Sequence, residues 1–175
     1  MNFLRVGQLN VNGLTQYREQ VEKLIHEHKL DALLLSETHC TDKSYLKINK
    51  FDFYHTTHPS GRARGGSAII VRRNLDHYEL PKYQTNEFQA TSIKVKLKDF
   101  SIQLAAVYIP PRYKVSRAKY EDFFDKMETR FIVGGDFNSK HPFWGSRTSN
   151  AKGKLLKAIV DNRKLLTLST GEPTY

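Results

Sequence analysis

A short apolar run that ends in two glycines is the feature that most constrains this chain. Residues 131–138 read Phe-Ile-Val-Gly-Gly-Asp-Phe-Asn, so an Asp and an Asn follow directly on the run. A buried strand of this kind delivers polar side chains to its carboxyl end, where open α/β sheets build their sites. Residues 32–38, Ala-Leu-Leu-Leu-Ser-Glu-Thr, repeat the pattern with one carboxylate, and residues 6–13 repeat it with Asn10 and Asn12. Three such strand ends predict an oxygen-liganded metal site of the magnesium type.

The composition predicts one folded domain with a polyanionic partner. The chain has 175 residues, 39% of them hydrophobic, which suffices for one domain with a core. Lys and Arg number 28 against 18 Asp and Glu, and this net charge of +10 favours nucleic acid or an anionic membrane surface as partner. A merely basic surface is the alternative. The single cysteine, Cys40, excludes an internal disulfide and fits a reducing compartment. No stretch approaches the roughly 20 apolar residues of a membrane span.

Expected strands and helices alternate along the chain, but not in a simple doubly wound order. Residues 90–97 and 100–109 are typical of a hairpin, and residues 59–66 of a loop. Antiparallel hairpins mixed with helical crossovers favour an α/β fold of two sheets packed face to face with helices outside. The other expected strands cover residues 3–9, 32–36, 67–71, 131–135 and 165–169, and the expected helices are one capped by Thr15, one over 116–127 and one over 154–162.

The polar residues at these strand ends match the needs of phosphodiester cleavage, which are a metal, a base that activates water and help for the leaving oxygen. Glu37 is the preferred metal ligand, because a carboxylate directly after a buried strand is held rigidly, and Asn10 is its neutral partner. Asp136 is the candidate base or second-site ligand, and Asn138 is the candidate that orients phosphate or water. For each of them the alternative is an ordinary turn or cap residue.

Further candidates are placed to contact phosphate. The phenol of Tyr108 at a strand end can hydrogen-bond a phosphate oxygen, and Arg112 can pair with one bidentately. Tyr108 is alternatively a core aromatic, since it shares the apolar face of its strand. Arg62 and Arg64, on a glycine-rich loop, are candidates to follow a nucleic-acid backbone, and the alternative is a solvated loop without a partner.

A stretch just after the Asp/Asn pair mixes charge with a stackable aromatic. It contains Lys140, His141, Trp144 and Arg147, a combination typical of nucleic-acid contact. The alternative for Trp144 is core packing.

The ordered set of these residues resembles a known family. Asn10, Ser36-Glu37-Thr38, Tyr108 and Gly135-Asp136-Phe137-Asn138 resemble the endonuclease/exonuclease/phosphatase superfamily, and longer stretches are similar to the apurinic-endonuclease-like endonuclease domain of insect non-LTR retrotransposons, jockey-like in particular. The match runs from Leu4 to Tyr175. The longer stretches are Leu-Leu-Ser-Glu-Thr-His, Arg-Gly-Gly-Ser-Ala-Ile-Ile-Val, Ala-Ala-Val-Tyr-Ile-Pro-Pro-Arg and Gly-Asp-Phe-Asn-Ser-Lys-His-Pro-Phe-Trp-Gly-Ser-Arg.

The resemblance implies a four-layer αββα sandwich of the deoxyribonuclease type and a Mg²⁺-dependent nick in DNA, with Mn²⁺ as an alternative ion. The nick gives a 3′-hydroxyl that the element's reverse transcriptase extends, so DNA and a reverse transcriptase domain are the implied partners, the implied location is nuclear, and no membrane is involved. By residue, Asn10 and Glu37 hold the metal, Tyr108 and Asn138 contact the scissile phosphate, and Asp136 acts on the attacking water.

The resemblance also implies a late Ser-Asp-His segment and further strands of the second sheet. No Ser-Asp-His occurs in the sequence. We therefore expect residues 1–175 to form a single domain of this family that is incomplete at its C-terminus. The alternative functions are a non-catalytic basic DNA-binding remnant and a phosphatase of the same fold.

The 175-residue chain is expected to nick supercoiled plasmid in Mg²⁺ weakly or not at all, because the resemblance assigns an essential His to the segment that the sequence lacks. Gel separation of supercoiled and open-circular plasmid measures the rate. Robust turnover by the purified chain would contradict this expectation.

Overall fold

The computed structural model describes residues 3–168, and within them the chain forms two β-sheets and three α-helices. The described residues divide into two compact units. The first comprises the chain up to Pro110 together with Met127–Asp136, and the second comprises Pro111–Lys126 and the chain from Phe137 onward. The helices are α1 (Arg18–Glu27), α2 (Arg117–Asp125) and α3 (Ala151–Asn162).

The first sheet has four strands in the order β1-β2-β4-β3. Its central strand β2 (Ala32–Ser36) runs parallel to β1 (Val6–Asn10) and antiparallel to β4 (Ser67–Arg72). The edge strand β3 (Phe51–Thr56) pairs antiparallel with β4. All five residues of β2 are buried, as expected for an apolar run between two layers.

The second sheet is built around a long hairpin. Its strands β7 (Gln89–Lys96) and β8 (Ser101–Tyr108) pair antiparallel, which confirms the predicted hairpin. Strand β9 (Phe131–Asp136) runs parallel to β8. All six of its residues are half-buried, whereas the sequence predicts a buried strand. On the other side of the hairpin, β5 (Asp76–Glu79) and β6 (Tyr83–Gln84) both pair with β7.

Two apolar clusters bury the two faces of the first sheet. On the outer face, Val21 and Ile25 of α1 pack with Leu33 and Ile70. The first unit therefore has three layers, a helix and two sheets. On the inner face, apolar side chains of the two sheets pack together, and they are Ala32, Leu34, Ile69 and Val71 of the first sheet with Ile93, Val95, Leu104 and Ala106 of the second.

A cluster of buried hydroxyl groups also joins the two sheets. Thr91 Oγ1 lies 2.9 Å from Thr56 Oγ1 and 3.0 Å from Ser67 Oγ. Thr56 Oγ1 in turn lies 3.0 Å from the carbonyl oxygen of Ala90 and donates to it. Because unpaired hydroxyls are costly in an apolar core, these bonds favour one lateral position of the sheets over others.

The second unit contains α2 and α3. Ser116 caps α2 by accepting a hydrogen bond from Lys119 N, at the start that the sequence predicts. Helix α3 begins three residues before its predicted start, because the Asn150 side chain caps it. Burial raises the pKa of Tyr120, on α2, to about 12.

Two predicted features are wrong. Thr15 does not cap α1, which begins at Arg18 without a side-chain cap. Residues 165–168 form no strand, and Ser169 lies outside the described residues. None of the helices between residues 3 and 168 has the length and apolar character needed to cross a membrane.

The two glycines of β9 are required by close packing. A Cβ on Gly134 would lie 2.9 Å from Leu34 Cδ1, and one on Gly135 would lie 2.0 Å from the carbonyl oxygen of Val107. The second contact is with backbone of the neighbouring strand, which cannot move aside without breaking the ladder. The sequence Gly-Gly therefore lets β9 lie in the sheet with its polar end correctly placed.

Gly135→Ala is expected to lower the free energy of unfolding by about 2–4 kcal/mol, because the methyl group overlaps the Val107 carbonyl. Gly61→Ala is the matched control, since Gly61 also has a positive φ, +69°, but no atom within 4 Å of the added Cβ. The control should lose only about 1 kcal/mol. Urea unfolding curves measure both, and equal losses would show that backbone conformation, not the overlap, decides the position.

Candidate active site

Side chains from four strand ends of the first unit meet at one place. Asn10 ends β1, Glu37 follows β2, Tyr108 ends β8 and Asp136 ends β9. Within each sheet the two strands are parallel, with Asn10 opposite Ser36 and Tyr108 opposite Asp136. Their carboxyl ends therefore lie at the same edge, as the sequence pattern predicts.

Hydrogen bonds connect these four side chains across the two sheets. The Asn10 amide nitrogen donates to Glu37 Oε2 at 3.0 Å and to Asp136 Oδ2 at 2.8 Å. The Tyr108 hydroxyl donates to Glu37 Oε1 at 3.1 Å. Tyr108 itself is only 5% exposed, so its ring packs in the core while its hydroxyl serves the site. The burial confirms the interpretation of Tyr108 as a core aromatic, and its contact with phosphate stays a prediction.

The backbone that carries Glu37 is held in an unusual conformation. Glu37 has φ +57° and His39 has φ +55°, in the left-handed region that costs a non-glycine residue about 1–2 kcal/mol. The N–H groups of Thr38 and His39 donate to carbonyls of residues 65–66 at 3.3 and 2.8 Å. On the other side, the carbonyls of Glu37 and Thr38 accept from residues 13–14, both at 2.9 Å. These bonds fix the direction in which the carboxylate points.

Gln89 supports this arrangement from inside the second sheet, and the sequence analysis missed it. Its side chain is fully buried. The amide oxygen accepts from Gly66 N at 3.3 Å, and the amide nitrogen donates to carbonyls of residues 85–86 at 2.6 and 3.1 Å. A Cβ on Gly65 would lie 2.9 Å from the Gln89 oxygen and 3.0 Å from the Tyr108 ring. Gln89 is thus a positioning residue, which a lone Gln in a strand does not reveal.

His39 is a second residue at the site that the sequence analysis did not single out. Its Nε2 lies 3.8 Å from Glu37 Oε1, and its side chain is 34% exposed. The signal in the sequence is its position two residues after Glu37, at the end of a buried strand.

The donor atoms at this place fit a hard divalent cation. Glu37 and Asp136 supply carboxylate oxygens that point at one common nitrogen, that of Asn10. Mg²⁺ is bound in proteins through one or two carboxylates and keeps several waters. The Asn10 amide oxygen accepts from Asn12 N at 3.1 Å, so the amide must turn to offer that oxygen to a cation. Between residues 3 and 168, no group of three or more His, Cys, Asp or Glu side chains is placed to hold a metal ion.

The loop of the first unit that carries Arg62 and Arg64 borders this site. It reaches the site through Gly65, whose carbonyl holds the N–H of His39. Arg62 is exposed, and Arg64 is half-buried with a buried Nε that has no hydrogen-bond partner among the described residues. Of the predicted contacts to nucleic acid, these two belong to the same unit as the four strand-end residues.

The remaining predicted residues lie in the second unit. Asn138 has φ +47°, and its carbonyl accepts from Asn150 Nδ2 at 3.0 Å. The Arg112 guanidinium donates to the Tyr113 hydroxyl at 3.0 Å and lies over that ring. The other three, Lys140, His141 and Arg147, lie in the loop that precedes α3.

Sequence comparison relates the chain to mobile elements. It is 36% identical over 172 residues to the RNA-directed DNA polymerase from mobile element jockey of Drosophila funebris, and the match covers 98% of this chain and 19% of that protein. It is also 36% identical over 172 residues to the probable RNA-directed DNA polymerase from transposon X-element of Drosophila melanogaster, with the same coverage of 98% and 19%. The chain thus spans about a fifth of the length of these relatives.

Structural comparison relates the fold to endonucleases. The endonuclease domain of TRAS1, a telomere-specific non-LTR retrotransposon, superposes with a TM-score of 0.81 at 23% identity, covering 97% of this chain and 76% of that chain. The AP endonuclease LMAP from Leishmania major superposes with a TM-score of 0.60 at 12% identity, covering 85% and 59%. These matches confirm the predicted fold class, an α/β fold of two sheets with helices.

A family model described as "Endonuclease/Exonuclease/phosphatase family" matches residues 7–175, which is nearly the whole chain. This match confirms the prediction of a phosphodiesterase or endonuclease by family. With its strand-end residues in the predicted order and a fold shared with endonucleases, the chain belongs to the endonuclease/exonuclease/phosphatase family.

Proposed function

We propose that this chain is the endonuclease domain of a jockey-like non-LTR retrotransposon and that it nicks DNA with a divalent cation, Mg²⁺ or alternatively Mn²⁺. The nick leaves a 3′-hydroxyl that primes reverse transcription by a polymerase domain of the same element, in the nucleus. The observation that carries the proposal is the meeting of Asn10, Glu37, Tyr108 and Asp136 at the carboxyl ends of two parallel strand pairs.

The relatives support the choice of substrate and partner. Those from jockey and the X-element are described as RNA-directed DNA polymerases, and this chain covers 19% of each. A polymerase needs a 3′-hydroxyl to extend, and an endonuclease domain in the same protein would supply one by nicking DNA. The net charge of +10 favours a polyanionic substrate such as DNA.

The residues of the first unit suit distinct tasks in phosphodiester cleavage. Glu37 and the amide oxygen of Asn10 would hold the cation, which would polarise the scissile phosphate and offset charge on the leaving oxygen. Asp136 accepts the proton of the attacking water. The Tyr108 hydroxyl, which donates to Glu37 in this structure, donates to a phosphate oxygen of the substrate.

The second unit and the arginine loop provide contacts to the substrate. The Asn138 amide donates to the scissile phosphate. Arg62 and Arg64 contact the DNA backbone from the loop beside His39, and Arg112 does so from the second unit. Phosphate contacts of this kind position the duplex without reading its sequence.

Glu37→Gln is expected to weaken Mn²⁺ binding by about 10-fold or more, because even residues that only orient a ligand change metal affinity by about 10- to 100-fold. Asp136→Asn should weaken it as well, since both carboxylates approach the same nitrogen of Asn10. Titration followed by Mn²⁺ electron paramagnetic resonance measures free and bound ion without requiring cleavage.

The control for this titration is Asp76→Asn, which removes an exposed carboxylate of the first unit that pairs with Lys96 at 3.5 Å. It should leave Mn²⁺ affinity unchanged. Equal affinity in all three variants and in the original chain would refute the assignment of the cation to this site.

Any nicking that the chain shows on prolonged incubation with plasmid is expected to disappear in Glu37→Ala and in Asp136→Ala, because each removes an ionised group required for the reaction. Asp76→Asn should nick at the original rate. Nicking that survives both alanine substitutions would sink the active-site assignment, whereas salt-sensitive DNA binding without any nicking would favour a non-catalytic DNA-binding function.

A further inference from the structure

Residues 138–150, here called the aromatic loop, form a closed loop in the second unit. Asn150 joins its two ends, since its side-chain oxygen accepts from Lys140 N at 3.2 Å and its nitrogen donates to the Asn138 carbonyl at 3.0 Å. The same oxygen accepts from Gly153 N at 2.7 Å and so ties the loop to the start of α3. A Cβ on Gly153 would lie 1.8 Å from the Lys140 carbonyl oxygen, so the glycine permits this close approach. These hydrogen bonds hold the two ends of the loop together and fix the loop to the start of α3.

The two neighbouring aromatic residues of the loop have different surroundings. The Trp144 indole nitrogen donates to the Ser139 carbonyl at 2.6 Å, and the side chain is half-buried. Phe143 is 50% exposed and touches Trp144 only edge to face, with ring centroids 6.0 Å apart. Lys157 Nζ lies over the Phe143 ring at 4.2 Å from its centroid and also pairs with Asp161 at 2.6 Å. Trp144 thus supports the loop, and Phe143 is the ring that it presents to solvent.

The stretch of chain that carries Phe143 is strongly cationic. Residues 137–160 contain no Asp or Glu. Among the described residues, the exposed side chains of Lys140, Arg147 and Lys154 make no ion pair and no side-chain hydrogen bond. Unpaired cations in the loop that carries an exposed ring, and in the first turn of α3, suit a polyanion that carries flat apolar groups. They oppose a partner that offers only an apolar surface, because the cations would lose water without a counter-charge.

We propose that Phe143 stacks on an unpaired nucleobase and that Lys140, Arg147 and Lys154 contact the phosphates on either side of that nucleotide. Proteins that bind single strands combine such cations with aromatic rings, and stacking tolerates any base because every base has a π face. The sequence pattern suggested Trp144 as the stacking residue, whereas the structure assigns the role to Phe143 and leaves Trp144 as a positioning residue.

This inference rests on the proposed function only in that both have DNA as ligand. The aromatic loop lies wholly in the second unit, and stacking requires neither a cation nor cleavage. Binding measured in EDTA therefore tests the stacking residue separately from the catalytic assignment, which the Mn²⁺ titration and the nicking assay test.

The experiment compares two labelled single strands of equal length by fluorescence anisotropy in EDTA, an oligothymidylate and a strand that is abasic at every position. The unsubstituted chain is expected to bind the oligothymidylate about 5- to 160-fold more tightly, which corresponds to the stacking free energy of one base. Phe143→Ala should abolish this preference while leaving the affinity for the abasic strand and its salt dependence unchanged.

Four further variants separate stacking from other effects. Phe143→Leu keeps apolar bulk without a π face and should lose the preference, whereas Phe143→Trp should keep it. Lys140→Gln should weaken binding of both strands equally and lower the slope of log affinity against log salt by about 0.7. Phe100→Ala is the matched control, because Phe100 is 42% exposed with the Arg130 guanidinium 5.2 Å from its ring centroid, in the first unit. It should leave the preference intact.

A preference that persists in Phe143→Ala or Phe143→Leu would overturn the proposal, as would equal binding of both strands by the unsubstituted chain. Circular dichroism and urea unfolding establish that each variant is folded, which is expected because the side chain is half exposed. Loss of the preference only in Phe143→Ala and Phe143→Leu would uphold the stacking site even if the nicking assay fails.

Discussion

The candidate site depends on how closely the two sheets of the first unit pack. Each sheet contributes one parallel strand pair, β1 with β2 and β8 with β9, and only close packing brings the four carboxyl ends together. The buried hydroxyls of Thr56, Ser67 and Thr91 favour one lateral position of the sheets. Where a Cβ would intrude, the chain has Gly134 or Gly135. The packing of the core therefore sets the positions of the site residues, and a change in the spacing of the two sheets would separate them.

The site itself keeps two like charges near each other without burying them. Glu37 and Asp136 both accept from the Asn10 amide, whose partial positive charge offsets only part of their repulsion. The Glu37 side chain remains 27% exposed, so water screens the rest. A divalent cation relieves the repulsion far better than an amide does. The arrangement therefore favours cation binding, and the strained backbone at Glu37 and its hydrogen bonds hold it ready.

The sequence predicted those parts of the fold whose pattern is local. The apolar runs at residues 32–36 and 131–136 have the composition and the polar ends that make strands and sites recognisable, although only the first of them is buried. The short, polar strands β5 and β6 both pair with β7, and their own sequences lack the apolar pattern that predicts a strand. The start of α1 also escaped prediction, because packing of Val21 and Ile25 replaces a side-chain cap.

The site residues, like the strands, were predictable where the sequence pattern is local. Asn10, Glu37, Tyr108 and Asp136 follow from strand ends and a family resemblance. Gln89 does not, because its role depends on the loop of Gly65 and Gly66 that folds against it. The sequence also does not show whether Phe143 or Trp144 is the exposed ring. In the structure, the Trp144 indole nitrogen donates to the Ser139 carbonyl, and this contact within the loop has no local sequence pattern.

Trp144 is the only tryptophan of the chain, and it lies in the second unit. Its fluorescence therefore monitors the environment of the aromatic loop, whereas the far-ultraviolet dichroism of β-structure monitors the two sheets of the first unit. The protein thus carries a separate spectroscopic reporter for each unit. Whether the two signals change at the same denaturant concentration reveals whether the units unfold as one cooperative system.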